Sequence, residues 1–117
     1  MNAEDIREYC LQKNGVEESF PFDNETMVFK VGNKIFLLMS LEKQPIFINV
    51  KTDPQWTEEL RASYSQIYGA YHMSKIHWNS VVLDGLPKDL ILKMIDHSYD
   101  LIFKKLTKKM QDQILHL

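Results

Sequence analysis

A single cysteine, four glycines and four prolines in 117 residues deny this chain the raw material of several protein classes. Cys10 alone excludes an internal disulfide and a thiolate-rich zinc site, and it fits a reducing compartment. Gly15, Gly32, Gly69 and Gly85 are too scattered for a phosphate-cradling P-loop or a dinucleotide fingerprint. No G-x-S-x-G elbow presents a nucleophile and no H-E-x-x-H presents a zinc site. No apolar run approaches the roughly 20 residues that span a bilayer. The opening "MNAEDIREYC" is acidic and polar, unlike a secretory or transit peptide, so the expectation is a cytoplasmic protein with no membrane partner.

An excess of positive charge is also lacking, since the formal net charge is −2. A nucleic-acid binder with that balance must gather its lysines on one face. Residues 1–25 hold seven acids against two bases, whereas residues 26–83 hold six bases against four acids. Lys104, Lys105, Lys108 and Lys109 crowd the end as "KKLTKK", which by itself reads as solvated charge.

What is present suits one globular domain, residues 1–117, with 44% hydrophobic and 26% charged residues. Asn2 is placed to cap a helix over about Ala3–Lys13, whose stripe of Ile6, Tyr9 and Cys10 makes Cys10 a small core residue. "TMVFKV" and "KIFLLMS" flank Gly32-Asn33, a two-residue connection suited to a tight hairpin that sets Phe29 opposite Phe36 and Lys30 opposite Ile35. "PIFINVK" reads as a third strand. Asp53 before Pro54 opens a helix whose inward face is Trp56, Leu60 and Tyr64. Two more strands, about Ser65–Tyr71 and Ile76–Leu83, turn through "HMSK". A long helix follows with Ile91, Met94, Ile95, Ser98 and Ile102 at helical spacing, and Thr107 can cap a short last one.

The order α-β-β-β-α-β-β-α predicts an α+β domain in two layers, an antiparallel sheet of about five strands with helices on one face. The other face must meet solvent, a partner chain or a ligand.

Chemistry-bearing residues concentrate in "YGAYHMSKIHWNSVVLDG", Tyr68–Gly85. His72 and His77 fall short of the ligands a zinc site needs, and Ser74, Ser80, His77 and Asp84 have no specific triad spacing. No metal, no cofactor and no catalytic residue is therefore expected. Strand alternation divides the stretch, with Trp78 read as facing the core. His77 and Asn79 then face away with Lys75, and if Lys30, Asn49 and Lys51 share that side it suits phosphate contacts and stacking, or equally a subunit interface.

The pieces "VFKVGNKIFLL", "INVKTDP", "LRASY", "YHMSKIHWNSV", "LDGLP" and "SYDLI", in this order, resemble the MmcQ/YjbR family of small bacterial proteins, over nearly the whole chain. The chain has Gly69-Ala70 where that family places Pro-Gly, and Thr52 where it often has cysteine. The resemblance implies a fold similar to type III secretion chaperones and a non-enzymatic, DNA-binding role through a "double wing" of two β-hairpins. Carried onto this chain, the wing tips are Gly32-Asn33-Lys34 and His72-Met73-Ser74-Lys75. Lys30, Lys34, Lys51, His72, Lys75, His77 and Asn79 then contact phosphates and base edges. The alternative is an interaction or chaperone-like module that uses the exposed sheet face to bind a second copy or another protein.

Overall fold

The computed structural model describes residues 1–71 and 73–116. Helix α1 (Ala3–Leu11) is followed by strands β1 (Val16–Ser19), β2 (Thr26–Val31), β3 (Lys34–Ser40) and β4 (Phe47–Lys51). Helix α2 (Pro54–Ser63), strands β5 (Ile67–Gly69) and β6 (Trp78–Val82), and helices α3 (Lys88–Lys104) and α4 (Lys108–Leu115) complete the order. The helix starts follow local chemistry. Asn2 and Asp5 form a reciprocal capping box on α1, and the Asp53 carboxylate accepts from the Trp56 amide ahead of Pro54 in α2. Thr107 caps α4 through the Met110 amide.

The strands form one six-stranded antiparallel sheet in the order β1-β2-β3-β4-β6-β5. The α+β class is as expected, with one strand more than the five anticipated. The addition is β1, sequence VEES, short and half acidic, which suits a sheet edge and leaves no apolar alternation to detect. Gly32 and Asn33 have φ of +56° and +65°, so both turn residues are left-handed and the hairpin matches the sheet's twist.

Lys30 lies opposite Ile35 as expected, but Phe29 pairs with Leu37, because a bulge inserts Phe36. The extra residue turns its ring edge-on to Tyr99 of α3 at 5.4 Å, and Leu37 and Met39 move to the core side with Phe29. One contiguous core then joins Ile6 and Cys10 of α1, Leu60 of α2, Ile91, Met94, Ile95 and Ile102 of α3, and Ile114 of α4 to that sheet face. All four helices therefore cover the same side of the sheet, and no described helix is long and apolar enough to cross a membrane.

Strand directions fix what shares an end. The β2–β3 turn, Lys51 at the close of β4, Gly69 at the close of β5 and Trp78 at the start of β6 all lie at one end of the sheet. The β3–β4 loop and the entry to α3 lie at the other, where Met1 and Asn2 meet Gln44, Leu83 and Asp84.

Candidate nucleic-acid interface

The Gly32-Asn33-Lys34 turn and the described part of the second expected wing tip lie at that first end, and His72 lies outside the described residues. The contact residues named from the sequence do not make one patch there. Lys34 and Lys51 converge with Lys105, from the end of α3, on a hollow of about 310 Å³ floored by Ile102 and Leu106. No carboxylate lines it among the described residues, and none of the three lysines belongs to an ion pair there. Burial, and then the neighbouring Lys105 ammonium, hold the Lys51 amine below its ordinary 10.5. Lys104, Lys108 and Lys109 are exposed around the α3–α4 junction. Gly32 abuts Leu106 and Met110, so the hairpin turn is seated against that junction.

Lys30 is elsewhere. It stands opposite Glu17 on β1 and lines a separate hollow of about 220 Å³ with Glu17 and Gln113. Lys75 is exposed, with its ammonium 6.0 Å from the Tyr71 ring centre. His77 is half-buried, and its carbonyl accepts from the Thr52 amide at 2.8 Å, which joins the β5–β6 loop to the end of β4.

Asn79 requires a correction. The sequence reading turned it outward with His77, but it is 0% exposed and pairs with Val50 beside the core residue Val81. Its Oδ1 accepts from Arg61 Nε at 3.0 Å, and its Nδ2 donates to Thr52 Oγ1 at 2.7 Å and the Val50 carbonyl at 3.3 Å. Thr52 and Thr57 hydroxyls lie 2.5 Å apart, and Thr57 donates onward to the Asp53 carbonyl at 2.7 Å. Arg61 Nη2 also donates to the Lys75 and Trp78 carbonyls at 2.6 and 3.1 Å. This chain of bonds ties helix α2 to the second hairpin, so Asn79 braces the loop and has no atom left for a ligand. Trp78, read as core-facing, is half-buried on the opposite side and outside the core cluster.

His97 serves the fold. His97 Nε2 accepts from the Asp53 amide at 3.1 Å, with its ring edge-on to Trp56. Among the described residues no group of three or more His, Cys, Asp or Glu gathers as a metal site. Sequence reasoning noticed the "KKLTKK" run but took it as solvated charge. Only the end of α3 meeting the end of β4 singles out Lys105.

A family model, YjbR, matches residues 11–101. The chain is 34% identical over 101 residues to the uncharacterised protein YjbR of Escherichia coli, covering 85% of each. It is 36% identical over 112 residues to the uncharacterised protein YbdF, also from Escherichia coli, covering 95% of this chain and 92% of the relative. Among solved structures, protein DR2400 of Deinococcus radiodurans, a DUF419 domain, superposes with a TM-score of 0.91 at 36% identity, covering 97% of this chain and 87% of that one. A Pseudomonas syringae protein superposes with a TM-score of 0.74 at 27% identity, covering 87% of this chain and 99% of that one. The chain belongs to the YjbR family.

Proposed function

We propose that the chain is a non-enzymatic DNA-binding domain that grips the phosphate backbone with the basic end of its sheet. The observation that carries this reading is the convergence of Lys34, Lys51 and Lys105 on one hollow without a carboxylate. Holding like charges together opposes folding, and a polyanion offsets that cost. The three clustered lysines make a local positive field, which turns that end of the sheet toward a negative partner. Strands β3, β4 and β6 span about 10 Å, comparable with the width of a major groove of about 12 Å.

The test is fluorescence anisotropy with a labelled duplex. Three neutralised phosphates give a log–log salt slope near −2.7, a loss of roughly forty-fold in affinity between about 50 and 200 mM salt. Lys34→Glu and Lys105→Glu each flatten that slope by about 1. No shift of the duplex at about 100 μM protein in low salt defeats the reading.

The alternative, a partner-binding module, is favoured by the 67% exposed Phe22 and 66% exposed Ile76. Light scattering that gives a dimer at micromolar concentration, lost on Ile76→Ser, supports it over DNA binding.

A further inference from the structure

We propose a second site on the outer face of the sheet, a hollow that takes one unpaired base of single-stranded nucleic acid. This site is separate from the lysine end and does not rest on the duplex reading. Lys43, Phe47, Asn49, Tyr68, Tyr71 and Ser80 line a hollow of about 410 Å³, within the range of small-ligand sites. Register places it away from the helices. Asn49 lies opposite Ser80, Tyr68 opposite Ser80 from the other side, and their strand neighbours Ile48, Val81 and Ile67 all point into the core.

The polar floor is set for a base edge. Asn49 Nδ2 donates to Ser80 Oγ at 2.9 Å and to the Asn79 carbonyl at 3.4 Å, so both amide hydrogens are used. Asn49 Oδ1 accepts from no described residue, and the Ser80 hydroxyl, which accepts from Asn49, keeps its own hydrogen to donate. An acceptor beside a donor is the complement of the Watson–Crick edge of a base, which carries the two side by side. That edge is occupied in a duplex, so the occupant must be unpaired.

The walls supply the stacking surface. Tyr68 is 49% exposed and Tyr71 75%, with Phe47 half-buried between the sheet and solvent. Aromatic rings around a polar floor are how sheet surfaces hold splayed bases. Lys43 at the rim provides a cation for the adjoining phosphate.

The probes are a labelled oligoadenylate strand, the same length of abasic backbone, and a blunt duplex, each titrated by anisotropy at one salt concentration. The oligoadenylate binds about ten-fold more tightly than the abasic strand. Tyr68→Ala and Asn49→Ser each remove most of that difference and leave abasic affinity unchanged. Far-ultraviolet circular dichroism confirms that both variants are folded. Lys43→Ala, at an exposed site, weakens both strands alike. Equal affinity for the oligoadenylate and abasic strands overturns this proposal and leaves the duplex reading standing. Binding of the oligoadenylate but not the duplex overturns the duplex reading alone. Absence of binding to all three overturns both. A base preference that survives in Tyr68→Ala and Asn49→Ser places the base elsewhere and also overturns the site.

Discussion

Replacing Asn79 by alanine separates a brace from a ligand contact, and its magnitude can be worked from the bonds it makes. The variant leaves Arg61 Nε without its 3.0 Å acceptor, Thr52 Oγ1 without its 2.7 Å donor and the Val50 carbonyl without its 3.3 Å donor. Thr57 spends its hydrogen on the Asp53 carbonyl, so Thr52 must donate to Thr57, and Asn79 fills the acceptor side of Thr52. A bond to a charged donor contributes about 1.5–3 kcal/mol and a neutral one about 1 kcal/mol. Arg61 is half-buried and recovers part of its loss from water, and the amide leaves a small void at a 0% exposed site. The sum is a loss of about 3–4 kcal/mol. At about 4 °C per kcal/mol for a domain of this size, the midpoint falls by about 12–16 °C. The assay is urea unfolding followed by circular dichroism, with the slope unchanged, alongside thermal melts. A loss below about 1 kcal/mol refutes the brace. So does a variant of unchanged stability whose affinity for duplex falls ten-fold, because Asn79 would then be touching the ligand.

Other perturbations follow from single environments. Burial pushes the Cys10 thiol up to about 12, so a colourless thiol reagent leaves the native protein unmodified and reacts only at the rate of unfolding. Prompt stoichiometric labelling contradicts the buried assignment. Glu18 accepts two bonds of 2.7 Å from Arg7, which hold its carboxyl below the ordinary 4.5. That pairing adds stability above pH 4.5 and loses it as pH falls through the folded-state value, so Glu18→Gln flattens the acid limb of a stability–pH curve. An unchanged limb shows that the pair contributes nothing. Lys51 is also lowered, but for an amine this means that the charged form is disfavoured in the fold, so stability rises with pH as the folded-state amine loses its proton below 10.5. Lys51→Met removes that rise and stabilises the protein at pH 7 by less than about 1 kcal/mol, whereas destabilisation shows that the ammonium has a partner.

Much of the layout is written in local signals. Asp53-Pro54, Asn2 and Thr107 mark helix starts because a cap needs only a side-chain oxygen and a few residues of sequence. The Gly32-Asn33 turn is equally local. The pairing beyond it is not. The bulge seats Phe36 against Tyr99, more than sixty positions away, and it exchanges the faces of Leu37 and Leu38. Strand β6 carries apolar residues on both faces, Val81 against Trp78 and Val82, and the bulk of Trp78 tips a reading by alternation the wrong way. Its register with Ile48 and Val50 of β4 settles the matter, and only tertiary structure contains that register. The basic site shows the same division. Lys34 and Lys51 stand out in strand-end positions, but Lys105 joins them only because α3 runs to the same end of the sheet.

The hollow beneath those lysines has a structural cause in Ser98. Pairing between β3 and β4 stops at Leu37 opposite Val50, and the next two residues, Phe36 and Lys51, do not close the following rung. The buried Ser98 hydroxyl stands in for it, donating to the Phe36 carbonyl at 2.6 Å and accepting from the Lys51 amide at 2.9 Å. One side chain thus satisfies both backbone groups where the strands part, which they must be if the opening is to persist in a buried setting. The parted ends leave Lys34 and Lys51 around Ile102 and Lys105, the latter pair on the same helix as Ser98. Ser98→Ala leaves a carbonyl and an amide unpaired, a loss of about 2–3 kcal/mol, unless the two strands close the rung themselves. Closure recovers much of that stability but draws Lys51 away from Lys105. A Ser98→Ala variant whose stability falls by less than about 1 kcal/mol therefore loses duplex affinity, while one that falls by the full amount keeps its geometry and its binding. Affinity retained together with near-native stability contradicts the role of Ser98 as the wedge that holds the site open.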